Sequence, residues 1–354
     1  MLGRIRNCWR FGRNAIAPLG LLLLILLIFG SQLAHPNNPI IAGVGGYFAK
    51  VTYLPLYRAL HIIFTPTFAV IMALTLVLER LVPAQQNRKL FSVSTAQDFV
   101  WFFYESVLDA LIVATYVTAL AWFYSRVAPA SPVLNVAALP DALRFVIALL
   151  AVDLCYYLQH RCNHSIPWFW QLHTVHHSQK QLNFFTDFRY HGLEYIVRQT
   201  FLAVPFIVLQ LTVFEIVYIS VFLRWYTRFY HANIRTDLWL LRYVLVTPQS
   251  HRIHHSIEER HQNKNFGSLF SIWDVIFGTQ YRKWDEYPET GIQDIAFPHE
   301  TQGDIASLLL TPWKQMIYPL RQIGRSANAW GFVLASPPKP EGGRRSSTAT
   351  PQDG

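Results

Sequence analysis

Residues 160–177 read HRCNHSIPWFWQLHTVHH and residues 251–255 read HRIHH. These stretches hold eight of the chain's fourteen histidines: His160 and His164, then His173, His176 and His177, then His251, His254 and His255. At this histidine frequency, two HxxHH triplets arise by chance in on the order of one in several thousand sequences. Residues three and four apart share a helix face. His160 and His164 therefore lie one turn apart on one side of a helix, and within each triplet the first histidine and the last two converge. Three short helical segments can aim eight imidazoles at one volume. Clustered imidazoles repel when protonated and lack partners when buried and neutral. A metal resolves both problems, because neutral imidazole is the ligand form. One tetrahedral zinc uses four ligands at most, so eight point to two metals.

Around these stretches the chain is apolar. It is 52% hydrophobic and 15% aromatic, with only 14% charged residues, against roughly 25% in soluble domains. Long apolar runs account for the difference and predict an all-α fold: a multi-pass membrane helical core under a cytoplasmic helical cap that holds the di-metal site. The first run, Ile16–Phe29, follows Arg4, Arg6, Arg10 and Arg13, which marks its start as cytoplasmic. The SQLAHPNN that follows offers no good cleavage site, so the run reads as an uncleaved anchor. Residues 31–60 read as a loop with an interfacial segment. His61–Val82 is about one bilayer thick at helical rise, and Arg80, Arg88 and Lys89 place its end inside. Phe99–Tyr124 is the next span, with Glu105 and Asp109 on one face, turned toward protein or water. The uncharged linker Ala128–Pro140 is an outer loop, and Leu143–Tyr157 returns the chain to the cytoplasm. Leu193–Tyr226, with Pro205 and Gln210 near its middle, reads as a hairpin that enters and returns. Four spans bring His160 inside and the hairpin brings His231 inside, so every histidine group lands on one face.

The organisation expected is residues 1–142 for the tail, anchor and first transmembrane helices and 143–285 for the catalytic domain. Residues 286–335 form a cap extension with Ile305–Ile323 as an amphipathic surface helix, and 336–354 a tail disordered by composition. The net charge of +9 follows from positive-inside topology, and no nucleic acid is expected as a partner. The three cysteines, Cys8, Cys155 and Cys162, make neither a disulfide framework nor a CxxC site; Cys162 lies among the histidines and reads as a small buried residue. A haem would need one histidine on each of two facing helices. A carboxylate di-iron bundle would need two ExxH motifs, and only Glu258–His261 fits. The rivals from other classes are a membrane zinc hydrolase, which needs few ligands beside a general base, and a histidine-rich metal transporter, which places ionisable groups along its spans. His35, His61, His261 and His299 stand outside the pattern.

In order, HRCNH, HTVHH and HRIHH resemble the three histidine boxes of the fatty acid hydroxylase and sterol desaturase superfamily. The resemblance runs from about Leu143 to Arg282 and takes in Asp153 in AVDLCYYLQHR and the stretch NKNFGSLFSIWDVIFGTQY. Two more histidines fit the family pattern: His191 in FRYHGLE, where Gly192 stands in place of the usual proline, and His231 in YHANI. HTVHHSQKQLNFFT is similar to the bacterial and alkylglycerol-monooxygenase-like branches. The resemblance implies ten histidines around two irons, with O2 as co-substrate. It implies oxidation of a C–H bond in a sterol-like, fatty acyl or ether lipid drawn from the bilayer, by hydroxylation or desaturation. The expected location is a bacterial inner membrane, with the metal site on the cytoplasmic side.

Metal-bound imidazoles donate their other N–H to a carboxylate or carbonyl. Asp153, two turns before His160, and Asp187, Glu194, Asn233 and Gln249, all near ligands in sequence, are the candidates for that role. Asp274 reads as a lock on the cap. No flavin or dinucleotide glycine fingerprint is present, so electrons are expected from a separate carrier, ferredoxin-like or a haem protein.

Overall fold

The computed structural model describes residues 66–86, 88, 92–112, 116, 119, 136, 138–209, 211, 213–299 and 305–329. The expected anchor Ile16–Phe29, the segment 31–60 and the tail 336–354 lie outside the described residues, as does most of the expected outer loop. The described part is helical, and its only extended pairings are the isolated bridges Pro83–Ile234, Leu245–Phe270 and Ser256–Thr290. Its helices are α1 (Pro66–Leu81), α2 (Val93–Ile112), α3 (Asp141–Ser165), α4 (Pro167–His177), α5 (Gly192–Leu209), α6 (Val213–His231), α7 (Pro248–His254), α8 (Ile272–Ile276) and α9 (Ile305–Ala329).

Local chemistry sets the breaks that matter. Ile166 is extended (φ −100°, ψ 118°), as the residue before a proline must be. Pro167 then opens α4 at its first turn, where a missing N–H costs nothing. The chain thus turns between the first histidine pair and the first triplet. Thr247 and Ser250 cap α7 reciprocally: Ser250 N donates to Thr247 Oγ1 at 3.0 Å and Thr247 N donates to Ser250 Oγ at 2.9 Å. This capping box starts the helix that carries HRIHH. The expected hairpin is present as α5 and α6, with Pro205 inside α5, which runs to Leu209 before α6 starts at Val213. Among the described helices, α5 is long and apolar enough to cross a membrane.

Two apolar clusters hold the helices. Ala148 and Val152 of α3, Leu202 and Leu209 of α5, and Ile219 and Leu223 of α6 form one. Trp101 and Phe102 of α2, Val175 of α4 and the Phe184–Phe188 turn form the other. Helix α9 lies against α2 and α4, with Trp101 Nε1 donating to Gln315 Oε1 at 2.9 Å. It is amphipathic as expected. Its small and polar side, Thr311 and Gln315, is the buried one, while Leu310, Trp313, Ile317 and Leu320 face outward.

Buried carboxylates tie the loops to this frame. Asp98 of α2 pairs with Arg189 and accepts from Gln179 Nε2 at 2.6 Å, anchoring the segment after α4. Asp153 of α3 accepts from Leu269 N (2.8 Å), Phe270 N (3.0 Å) and Trp273 Nε1 (2.8 Å). Asp274 accepts from Phe266 N and Gly267 N, both at 2.8 Å, and from Thr279 Oγ1, so it is the lock the sequence suggests. Asp153→Ala leaves three buried donors unsatisfied and should cost about 3 kcal/mol. Thermal melting of the detergent-solubilised protein checks this, and an unchanged midpoint would contradict the clamp.

Candidate metal centre

The end of α3, the whole of α4, the end of α6 and the whole of α7 meet at one place. Five histidines form one group there: His160, His164, His173, His177 and His254. Four form a second: His176, His231, His251 and His255. Within each group the candidate ligand atoms lie within 4.8 Å of one another. A metal at about 2.0–2.2 Å from each nitrogen needs donors no more than about 4.4 Å apart, so small side-chain adjustments suffice. The groups adjoin, with the His177 and His255 rings stacked at 4.3 Å and His173 and His176 at 5.2 Å between centroids.

Each triplet splits by the same rule. The residues four apart go to one group and the residue at i+3 goes to the other. His173 and His177 join the first group and His176 the second; His251 and His255 join the second group and His254 the first.

The hydrogen bonds show whether these residues fit a metal. Carbonyl and carboxylate oxygens only accept, so a ring nitrogen bonded to one carries the proton. His160 Nδ1 donates to Phe266 O (3.0 Å), His254 Nδ1 to Lys264 O (2.8 Å) and His173 Nδ1 to Glu194 Oε1 (2.6 Å). In the second group, His231 Nδ1 donates to Thr227 O (2.7 Å) and His176 Nδ1 to Arg189 O (3.3 Å). In the neutral rings each Nε2 is then a bare lone pair. All five Nε2 atoms of the first group are buried with no hydrogen-bond partner. In the second, the Nε2 atoms of His176 and His231 face each other at 3.1 Å, an unfavourable contact between two acceptors unless a cation lies between them. A metal pair fits this donor set.

Burial first, and the neighbouring imidazoles second, hold His160, His164, His176, His177, His251 and His255 well below the ordinary histidine range. Burial lowers His254 to about 3. His231 is lowered by burial and partly restored by Asp187. Desolvation disfavours the imidazolium, and the neutral ring it leaves is the form that binds metal.

Nine of the ten predicted ligands are thus brought together. The tenth, His191, stands outside both groups. It caps α5: Leu193 N donates to its Nδ1 at 3.1 Å, and its Nε2 donates to Met316 O of α9 at 2.9 Å. Both ring nitrogens have other partners. Among the predicted supporting residues, Glu194 does what was expected of it and is itself held by Asn163 Nδ2 at 2.7 Å. Asp187 Oδ1 lies 3.7 Å from His231 Nδ1 and acts by charge, since Thr227 O takes the hydrogen bond. The others are corrections. Asp153 grips the 269–273 backbone, Asn233 pairs with the Gln85 backbone, and Gln249 Nε2 donates to Lys283 O and Glu286 O. None of the three bonds a histidine of either group. Sequence reasoning missed the four carbonyls, which carry no residue-type signal. His261, outside the pattern as expected, sits between Ser256 Oγ and Glu286 Oε2. Cys162 belongs to neither group.

The loop carrying the His160 carbonyl partner is packed to contact. A Cβ at Gly267 would meet Phe270 O at 2.8 Å, Asp274 Oδ2 at 2.9 Å and Val246 Cγ2 at 2.9 Å. The glycine lets this strap fold back on Phe270 and pack against Asp274 and Val246.

The fatty acid hydroxylase family matches residues 145–279, the segment that carries all nine histidines. Over that segment, which is less than half of the chain, the protein is similar to the fatty acid hydroxylase family. The alkylglycerol monooxygenase of Caenorhabditis elegans is 31% identical over 155 residues, covering 42% of this chain and 29% of that protein. The human alkylglycerol monooxygenase is 32% identical over 132 residues, covering 37% and 29%. The ornithine lipid hydroxylase OlsE of Rhizobium tropici is 26% identical over 140 residues, covering 40% and 42%. The matches thus span less than half the length of these relatives. No solved structure matches the chain.

Removing Glu194 frees the His173 tautomer and orientation. Glu194→Ala should lower metal affinity ~10–100-fold and leave the helical circular dichroism unchanged. Metal titration of chelator-stripped protein measures this, and wild-type affinity in the variant would remove Glu194 from the site.

Proposed function

We propose that the chain is a membrane-embedded oxygenase that hydroxylates a lipid C–H bond at a pair of irons held by the nine grouped histidines. The observation that carries this reading is the pair of adjoining histidine groups walling one cavity. His160 and His173 of the first group and His176, His231 and His251 of the second line it. A cavity faced by both groups is where one substrate atom would be within reach of both metals. The printed names of the relatives, monooxygenase and lipid hydroxylase, favour oxygen insertion over desaturation. Five nitrogen donors in one group exceed the four of tetrahedral zinc, which speaks against the hydrolase. Gathering of the ligands at one place, not along the helices, speaks against the transporter.

Bound iron would supply oxygen activation and the oxidising power for C–H cleavage. The chain's own residues do the rest. The carbonyls of Phe266, Lys264, Thr227 and Arg189, with Glu194, fix the ring tautomers. Burial excludes water from the imidazoles and keeps them neutral. Helices α3, α5 and α6 border the cavity and, in a multi-pass arrangement, would let a lipid enter from the bilayer. The outward apolar face of α9 would lie in the membrane interface, with the metal site on the cytoplasmic side. Electrons would come from a separate ferredoxin-like or haem carrier.

Lipid profiles of cells with and without the gene should differ by a species carrying one extra oxygen. His176→Ala should reduce its formation more than ~100-fold while the protein still fractionates with membranes. Identical profiles, together with purified protein free of stoichiometric iron, would remove the proposal.

A further inference from the structure

The cavity beside the histidines opens to the outside and is lined by charged, polar and aromatic side chains, with Leu223 its sole aliphatic lining residue among the described residues. Arg198 stands on its wall. It belongs to α5, the described helix most suited to cross a membrane, and only 7% of it is exposed.

Its partners set it apart from the other buried arginines. Arg189 pairs with Asp98, Arg228 lies 3.8 Å from Asp187, and Arg252 Nε donates to Pro288 O at 2.9 Å. Arg224, half-buried on the same cavity wall, pairs with Glu105 at 2.7 Å. Among the described residues, no carboxylate lies within ion-pair distance of Arg198, and its Nε has no hydrogen-bond partner. Two acids line the same cavity without pairing with it: Glu194, one turn earlier on α5, turns Oε1 to His173 and Asn163 and leaves Oε2 without a hydrogen bond, and Asp187 sits by Arg228 and His231. What surrounds the guanidinium is aromatic. Its carbon lies 4.7 Å from the Tyr190 ring centroid and 4.4 Å from that of Tyr195. Stacking of this kind holds a guanidinium plane in place while leaving its edge donors available. A buried, oriented cation that faces a cavity from a membrane helix and makes no direct ion pair is a binding feature, because burying the charge without a contacting anion is otherwise costly.

We propose that Arg198 is the anion-recognition residue of the substrate cavity and that the lipid carries a carboxylate or phosphate which its guanidinium receives. This rests on the lipid-oxidation reading and narrows it to anionic or zwitterionic lipids whose charged oxygens enter the cavity. Tyr190 and Tyr195 are the positioning residues that hold the fork. Arg224, already paired, is not the receptor.

The test is equilibrium binding of dodecyl phosphate, laurate and dodecanol to the full chain in a non-ionic detergent, with iron bound. Wild type should prefer at least one of the two anions to dodecanol by ~10-fold or more. The favoured anion identifies phosphate or carboxylate as the group received. Arg198→Gln should collapse the anion-to-alcohol ratio to within ~2-fold. Arg198→Lys, which keeps the charge without the fork, should give an intermediate ratio. Arg321→Gln, at an exposed cation on α9, removes the same charge and should leave the ratio as in wild type. Equal affinity of wild type for all three amphiphiles would overturn the assignment even if Arg198→Gln fails to fold. So would equal losses in the two glutamine variants, which would mean that the overall positive charge sets the preference. Displacement of dodecyl phosphate by an equal concentration of inorganic phosphate would show a soluble anion as the occupant and would also overturn it. Because binding is read without turnover, an Arg198-dependent preference in a protein that oxidises no lipid would sink the functional reading alone.

Discussion

The site depends on a set of hydrogen bonds between imidazole Nδ1–H groups and fixed oxygens. Phe266 O, Lys264 O, Thr227 O and Arg189 O, with the Glu194 carboxylate, each hold one ring by its outer nitrogen. This fixes the tautomer and turns the Nε2 lone pairs inward. Without those bonds, the five held rings could rotate or exchange protons with their neighbours, and the vacant donor set they supply would not persist. Much of the surrounding architecture serves to hold the oxygens still. Asp274 and Asp153 clamp the strap 266–273 to itself and to α3, and Asp98 anchors the segment that ends at Arg189.

The same arrangement explains how neutral histidines persist so close together. Burial removes the hydration that would favour imidazolium, and each neighbouring ring would add repulsion if charged. The result is a volume of lone pairs that only a cation can satisfy, beside a cavity that the stacked Arg198 also lines. Metal ligation and the proposed anion recognition thus share one space. That juxtaposition suits a substrate with a charged end.

Much of the fold was legible because its signals are local. The HRCNH, HTVHH and HRIHH spacings announced helices, Pro167 announced the turn between α3 and α4, and the apolar run 193–226 announced two helices. The helix boundary was less legible: Pro205 is a strong breaker by type, yet it is accommodated inside α5, which runs on to Leu209. Histidine partners assigned by nearness in sequence fared unevenly. Glu194 met its histidine, while Asp153, Asn233 and Gln249 bond loop backbone, because a carboxylate or amide takes whichever N–H or carbonyl the packing brings to it. His191 fits a family pattern as a string, but its ring caps α5.

By itself the sequence determined which residues could bind metal, that they would lie on helices, and that there were too many for one ion; spacing along a helix and ligand chemistry suffice for that. Only the tertiary structure decided how they divide. The i and i+4 members of each triplet point one way and the i+3 member points another. Which centre each joins depends on the angle at which α4 and α7 meet. Tertiary packing also decided which oxygens set the tautomers and that Arg198 stands on the cavity wall without a direct ion pair. Such partners are separated by long stretches of chain, and only packing brings them within hydrogen-bond reach.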